Sequence, residues 1–169
     1  MNPDEEFSLD GIAELDIQVK LYQLGVESFS PYAGSGKVDM VIRSENGDLV
    51  HYADIKVCTG LHKGANIVWE LDIGFFMNSD SFIILTIRLP EEDETFQNHH
   101  FVLESKEFLR IAKKHRLRTR NDKWIVGLPF SDLQILNKQS KSKLSKSLTR
   151  SLKNYFDNWD CLLEWQSNR

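Results

Sequence analysis

Apolar residues recur at helical spacing near the start of the chain. They form two neighbouring stripes, one of Ile12, Leu15, Val19 and Tyr22 and one of Ala13, Ile17, Leu21 and Leu24. This pattern predicts a helix that begins near Ser8 or Asp10, which are both capping residues, and stops at Gly25. Because the two stripes cover much of the helix, we expect it to be buried on most sides. The carboxylate of Glu14 lies between the stripes and is expected near the interior.

Two strand-like runs follow, KVDMVIR and LVHYADIKV, and the segment SENGD joins them. The dipeptide Asn46-Gly47 is a strong signal for a two-residue turn, so the runs predict a β-hairpin. With these residues at the centre of the turn, Asp39 lies directly opposite Asp54. Lys56 then points to the same face, because strand side chains alternate. The other face is apolar and is expected to be core; it carries Val38, Met40, Ile42, Ala53 and Ile55.

The later pattern predicts helices and strands in alternation. HKGANIVWELDIGFFMN is interpreted as a strand followed by a helix, and SFIILTIRL as a buried strand that Pro90 ends. HHFVLES predicts a strand, KEFLRIAKKHRL a helix and KWIVGLPF a further strand. SDLQILNKQ starts a helix that breaks in QSKSKLSKS, and a last amphipathic helix runs through Leu148 to Leu163. The pair His99 and His100 is interpreted as surface residues of a polar loop.

Length and composition favour one mixed α/β domain. The chain has 169 residues, of which 41% are hydrophobic and 27% charged, which is enough for one core and too few for two comfortable domains. We expect a core at about 8–136 and a helical extension at about 137–169. No apolar run approaches the roughly 20 residues of a membrane span, so we expect a cytoplasmic protein. Cys58 and Cys161 have no zinc-site spacing and are expected to be reduced thiols.

The charge pattern is segregated. The net charge is -4, which argues against tight nonspecific binding to nucleic acid. Basic residues nevertheless cluster in residues 106–123 and 138–153; the clusters include Lys113, Lys114, Arg116, Arg118, Lys141 and Lys143. Each cluster alone is typical of a solvated helix face, whereas the two together indicate a polyanionic partner.

The hairpin offers the strongest candidate chemistry. Two carboxylates placed opposite each other destabilise a sheet unless something neutralises them. Asp39 and Asp54 therefore predict a hard divalent cation such as Mg²⁺. Lys56 beside them would position a metal-bound water or stabilise charge on a phosphate. The alternative is an ordinary salt-bridge cluster on a solvated sheet face.

The order of these residues resembles the PD-(D/E)XK nuclease superfamily, in which a helix glutamate precedes a hairpin aspartate and an acid-x-lysine triplet. Here they are Glu14, Asp39 and the triplet from Asp54 to Lys56, while Val38 stands where the family name has proline. AGSGKVD is similar to the glycine-serine loop of archaeal Holliday junction resolvases and restriction-type endonucleases. That resemblance places Ser35 near the scissile phosphate.

The resemblance implies a restriction endonuclease-like core, with a four-stranded mixed sheet flanked by helices. It also implies hydrolysis of DNA phosphodiester bonds by Glu14, Asp39, Asp54 and Lys56, with Mg²⁺ or Mn²⁺ held by the three acids. The basic clusters would then contact DNA, and the apolar last helix offers a surface for a homodimer. The alternative is a catalytically inactive module on this scaffold that binds a protein or nucleic acid, which the net acidity favours.

Overall fold

The structure is a computed structural model that describes residues 3–31, 38–77 and 80–168. Its helices are α1 (Pro3–Gln23), α2 (Ser105–Lys114), α3 (Phe130–Asn137), α4 (Ser147–Leu152) and α5 (Asp160–Ser167). Its strands are β1 (Glu27–Phe29), β2 (Met40–Asn46), β3 (Leu49–Thr59), β4 (Leu61–Lys63), β5 (Asn66–Asp72), β6 (Ser81–Pro90), β7 (Phe96–Glu104), β8 (Arg118–Arg120) and β9 (Lys123–Pro129). Short 3₁₀ helices span Ile73–Met77 and Lys153–Tyr155. No helix in these ranges is long and apolar enough to cross a membrane.

The strands form two sheets. The first has the order β1-β2-β3-β6-β7, and its β3–β6 pair is parallel while its other pairs are antiparallel. The second has the order β4-β5-β9-β8 and is antiparallel throughout. The expected mixed sheet flanked by helices is confirmed, although it has five strands instead of the four that the resemblance implied. The second sheet was not predicted.

Segment 61–77 differs from its prediction. It holds the predicted strand, β5, and a helix after it, but the helix is a short 3₁₀ helix, and an additional strand, β4, precedes β5 in a hairpin that turns at Gly64. Gly64 has φ +65, in the left-handed region that favours glycine. The second sheet continues through β9 to β8, and the β8–β9 turn places Asn121 and Asp122 at φ 51 and 58.

Two apolar clusters fill the spaces on either side of the first sheet. One lies between the two sheets and includes Trp69, Leu71, Ile83 and Leu85. The other lies between the first sheet, α1 and α5, and includes Ile17, Ile84 and Leu162. Successive residues of β6 enter opposite clusters, so this strand is buried on both faces. The prediction of a buried strand that ends at Pro90 is therefore confirmed.

Helix α1 is longer and more exposed than the sequence suggested. It begins at Pro3, ahead of the expected caps at Ser8 and Asp10. Its end is as predicted, with Gly25 at φ +74. Only the stripe that contains Ala13, Ile17 and Leu21 is buried. The second stripe, starting at Ile12, faces away from the sheet, because a helix on one sheet face buries only one side; the expectation of burial on most sides is wrong.

The C-terminal extension is broken into short helices and wraps around one edge of the first sheet. Leu148 and Leu152 pack between the two sheets, whereas Leu162 packs on the opposite side of the first sheet. The chain crosses from one side to the other beside β7, where Phe156 pairs with Phe101. The apolar side chains that suggested a dimer surface on the last helix are thus largely occupied by packing within the chain.

Candidate functional site

Asp39 and Lys56 form an ion pair at the point where β2 begins. Lys56 Nζ donates to Asp39 Oδ1 at 3.0 Å, and the backbone N–H of Val57 donates to Oδ2 at 2.7 Å. The backbone N–H of Asp39 itself donates to the carbonyl of Ile55 at 3.0 Å. The two side chains are 18% and 19% exposed. These contacts fix the carboxylate and the ammonium group at a position that solvent still reaches.

The hairpin register differs from the predicted one. Asn46 pairs with Leu49, so Gly47 and Asp48 are the central turn residues instead of Asn46 and Gly47. Gly47 has φ +62, and glycine at the first central position is typical of a type II′ turn. Asp54 therefore lies opposite Val41, and the direct pairing of Asp39 with Asp54 was wrong.

The change of register preserves the sorting of the two faces, because each pairing moves by two residues. Met40, Ile42, Ala53 and Ile55 are all buried in one cluster, as predicted, whereas Val38, predicted on the same face, packs against the cluster between the two sheets. Asp39, Asp54 and Lys56 share the opposite face, with Lys56 across from Asp39. The carboxylate of Asp39 thus has a cationic partner in Lys56. Electrostatic repulsion between the two acids does not by itself require a metal ion.

Glu14 lies on α1, which packs on β3. Its side chain is half-buried, next to the buried Ala13 and Ile17, as its position between the stripes suggested. Within residues 3–31, 38–77 and 80–168, no three His, Cys, Asp or Glu side chains are grouped to hold a metal ion. The assignment of Glu14, Asp39 and Asp54 as metal ligands stays a prediction, and Ser35 lies outside the described residues.

Four basic residues line the solvent-facing side of the second sheet. Lys63, Arg120 and Lys123 surround Glu70, with nitrogen-to-oxygen distances of 3.4, 3.6 and 3.9 Å. Arg118 lies on the same face and is exposed. These separations are long for ion pairs, so the cations remain accessible to a further anion. Sequence reasoning missed this grouping because Glu70 and its three partners come from four different strands.

The two basic clusters meet near His115. Lys113, Lys114 and Arg116 are exposed around the C-terminal end of α2. His115 beside them contacts the hydroxyls of Ser151 at 2.8 Å and Ser147 at 3.2 Å, both on α4. Burial and the nearby Lys114 and Lys146 lower the pKa of His115.

Lys141 and Lys143 are exposed in the segment between α3 and α4, where the sequence predicted a break. Asp132 on α3 holds the end of this segment, since it accepts hydrogen bonds from the backbone N–H groups of Ser145 and Lys146. The ammonium group of Lys146 in turn donates to the carbonyl of Gly127 on β9. Lys146 of the second basic cluster thus contacts β9 of the second sheet, and Ser147 and Ser151 beside it contact His115 of the first cluster.

His99 and His100 are buried, so their interpretation as surface residues is wrong. His99 lies between Asp157 and Glu91, at 2.7 and 2.9 Å. Burial lowers its pKa, but the two carboxylates outweigh burial and the pKa is raised. His100 contacts Asp16 at 3.2 Å, and burial lowers its pKa. The sequence of the strand did not indicate this burial, because Asp157 belongs to the distant C-terminal extension and Asp16 belongs to α1.

No protein-family model matches the chain, and a comparison with curated proteins finds no match. Among solved structures, the chain is similar to a bacterial homing endonuclease, I-Ssp6803I, with a TM-score of 0.56. The similarity covers 94% of this chain and 92% of that one, at 15% sequence identity. At this identity the comparison shows a shared fold, and it confirms the expected α/β architecture with a nuclease-like core.

Proposed function

We propose that the chain is a nuclease that hydrolyses phosphodiester bonds of DNA, with Glu14, Asp39, Asp54 and Lys56 as catalytic residues. The observation that carries the proposal is the Lys56–Asp39 pair beside Asp54 on one hairpin face. It occurs in a chain that shares the fold of a homing endonuclease along almost its entire length.

The ion pair suits the charge changes of phosphodiester hydrolysis. The Lys56 ammonium group is held by one carboxylate oxygen and is still partly exposed, so it is available to stabilise charge that develops on a phosphate. The Val57 N–H donates to the second oxygen of Asp39. This hydrogen bond keeps the carboxylate from rotating, so that Asp39 holds Lys56 in place.

A divalent cation fits the chemistry of the acidic residues. Mg²⁺ and Mn²⁺ prefer carboxylate oxygens, and each oxygen of Asp39 keeps a lone pair beyond its hydrogen bond described above. Asp39 and Asp54 would hold the ion, with Glu14 as a third ligand. When bound, the ion would polarise the phosphate and acidify a water molecule.

The basic surface supports a DNA partner. Lys113, Lys114, Arg116, Arg118, Lys141 and Lys143 are all exposed, and Lys63, Arg120 and Lys123 extend the surface across the second sheet. A chain of net charge -4 attracts a polyanion only through such a local excess of positive charge.

The test is cleavage of supercoiled, linear and branched DNA in the presence of Mg²⁺ or Mn²⁺. Lys56→Met and Asp54→Asn are each expected to reduce the rate at least about a hundredfold, because each removes a group that acts on the phosphate or its ion. Asp48→Asn makes the same change of charge at the exposed turn of the hairpin and should leave the rate unchanged. Absence of cleavage by the wild-type chain, or full activity of Asp54→Asn, would contradict the proposal.

A second candidate is a noncatalytic binding module, which the engagement of both Asp39 oxygens favours. Calorimetric titration with Mg²⁺ separates the two. An enzyme that holds the ion through Asp39 should release or absorb heat that Asp39→Ala abolishes, whereas a module without a metal site should show no such heat.

A further inference from the structure

A cavity lined by basic residues lies between α3 and α4. It has a volume of about 430 Å³, which is in the size range of ligand-binding pockets. We refer to it as the α3–α4 pocket. Its lining includes four cationic residues, all of them exposed: Lys141, Lys143, Arg150 and Lys153. No residue of the proposed catalytic site is among its lining residues.

The positive charge of the α3–α4 pocket is not offset by acids in the described part of the chain. None of the residues that line the pocket is Asp or Glu, and no described carboxylate forms an ion pair with its four cations. The basic face around Glu70 differs, because there a carboxylate already lies among the cations. Four like charges around one cavity repel each other, and a bound anion would remove that repulsion.

Hydrogen bonds order the backbone around the pocket before any ligand binds. Where α3 ends, the backbone N–H of Ser140 donates to the carbonyl of Ile135 at 3.0 Å. The N–H of Ser142 then donates to the hydroxyl oxygen of Ser140 at 3.2 Å. At the other end, Asp132 holds Ser145 through the hydrogen bonds described above. An ordered backbone loses little conformational entropy when a ligand binds, so the segment suits a binding site.

Arg150 contributes to both the shape and the charge of the pocket. Its Nη1 donates to the carbonyl of Leu144 at 2.9 Å, which ties α4 to the segment before it. Its other guanidinium N–H groups have no acceptor among the described residues. Arginine binds phosphate through pairs of such groups, whereas lysine binds it as a point charge. The hydroxyl of Ser142, which accepts from Ser140 at 2.9 Å, still has its own hydrogen to donate.

We propose that the α3–α4 pocket binds a group of neighbouring phosphates, which Lys141, Lys143, Arg150 and Lys153 hold. A phosphate monoester carries about -1.5 to -2 charges, whereas a carboxylate carries a single one, so phosphates supply more charge in the same volume. Neighbouring phosphates occur in free polyphosphate compounds, such as nucleoside triphosphates, and in the backbone of DNA. Only the second source rests on the nuclease function proposed above.

Calorimetric titration of the full chain with inorganic tripolyphosphate, in buffer without divalent ions, tests the site. Lys143→Gln and Arg150→Gln should each raise the dissociation constant at least about tenfold, because each removes a hydrogen bond to a charged group. Arg88→Gln is the matched control, since it removes the same charge at an exposed position of β6, outside both basic clusters. Absence of binding by the wild-type chain, or equal weakening by all three variants, overturns the proposal.

Lysine acetylation, measured by mass spectrometry, locates the site on the wild-type chain and so does not depend on the folding of a variant. Saturating tripolyphosphate should protect Lys141, Lys143 and Lys153 severalfold. Lys106, whose side chain is 77% exposed outside the pocket, should react equally with and without the ligand. Equal protection of all four lysines would show that the anion binds without a defined site, and would overturn the proposal.

Competition distinguishes the two sources of phosphate. Displacement of tripolyphosphate by a short DNA duplex would identify the DNA backbone as the source. Displacement by adenosine triphosphate but not by the duplex would identify a free polyphosphate, and displacement by neither overturns the proposal. These titrations measure binding without cleavage, so a failure of this site and a failure of the nuclease proposal are observed separately.

Discussion

Replacement of Asp132 should destabilise the chain more than any exposed charge. Asp132 is 1% exposed and accepts four hydrogen bonds. One oxygen accepts from the backbone N–H and the hydroxyl of Ser145, at 2.8 and 2.9 Å. The other accepts from the N–H of Lys146 at 3.0 Å and from the hydroxyl of Thr149 at 2.8 Å. These bonds hold the start of α4 against α3.

The loss of stability expected on replacing Asp132 follows from these hydrogen-bond partners. A hydrogen bond to a charged group contributes about 1.5–3 kcal/mol, but the contributions overlap and water replaces those that become exposed. Thr149 is 0% exposed, so water cannot replace the acceptor that its hydroxyl group loses when Asp132 is removed. We expect Asp132→Ala to lower the free energy of unfolding by about 3 kcal/mol. Asp132→Asn keeps one acceptor oxygen and should cost about half of that.

Urea and thermal unfolding, followed by tryptophan fluorescence, measure the effect. For a chain of this length, the alanine variant should melt roughly 6–12 °C below the wild type. A loss of less than about 1 kcal/mol, or equal losses for Asn and Ala, would refute the reasoning. Arg118→Gln provides a surface control, because Arg118 is exposed and none of the ion pairs described above involves it.

The pH dependence of the free energy of unfolding provides a second test of the role of Asp132. Burial raises the pKa of Asp132, but hydrogen bonds from Ser145, Lys146 and Thr149 outweigh burial, and the pKa is lowered. A carboxyl group with a lowered pKa stabilises the folded chain above its unfolded pKa of about 4. This stabilisation is lost as the pH falls through the folded pKa. Asp132→Asn should therefore lose less stability on acidification than the wild type.

Three further predictions concern other parts of the molecule. Gly60→Ala should cost about 2 kcal/mol in urea unfolding, because the added Cβ would lie 2.6 Å from the ring of Trp69; a neutral effect would contradict this packing. His99→Gln should remove stability that the wild type holds below pH about 6.5 and loses as the pH rises through the raised pKa of His99; unchanged pH profiles of melting would argue against it. If the basic sheet face binds DNA, Glu70→Gln should tighten binding severalfold at low salt, and weaker binding would exclude that role.

The sequence predicted correctly those helices, strands and turns that are determined by residues close together along the chain. The β2–β3 hairpin, the end of α1 at Gly25 and the buried β6 each depend on neighbouring residues, and all three are confirmed. The predicted register of the hairpin was wrong by two residues, because Gly47 takes the first central position of the turn instead of the second. Periodicity identified the core face of the hairpin but not the partner of Asp39.

Features that depend on distant contacts were not visible in the sequence. Strands β4 and β8 are three residues long, too short to show alternation, so the second sheet was missed. His99 was misjudged because Asp157, which covers it, is 58 residues away along the chain. The exposed half of α1 was misjudged for a similar reason, since an apolar stripe does not reveal whether a neighbouring element covers it.

The wrapping of the C-terminal extension around β7 has a consequence for aggregation. Each sheet ends in two outer strands, and in the described part of the chain three of these, β1, β4 and β8, are only three residues long. The fourth, β7, has nine residues and would offer a long row of unpaired backbone groups. Phe156 and Asp157 cover part of that row by pairing with Phe101 and His100. Removing the extension would expose the edge of β7, on which strands of other molecules could pair. The last thirty or so residues therefore also protect the chain from aggregation through this edge.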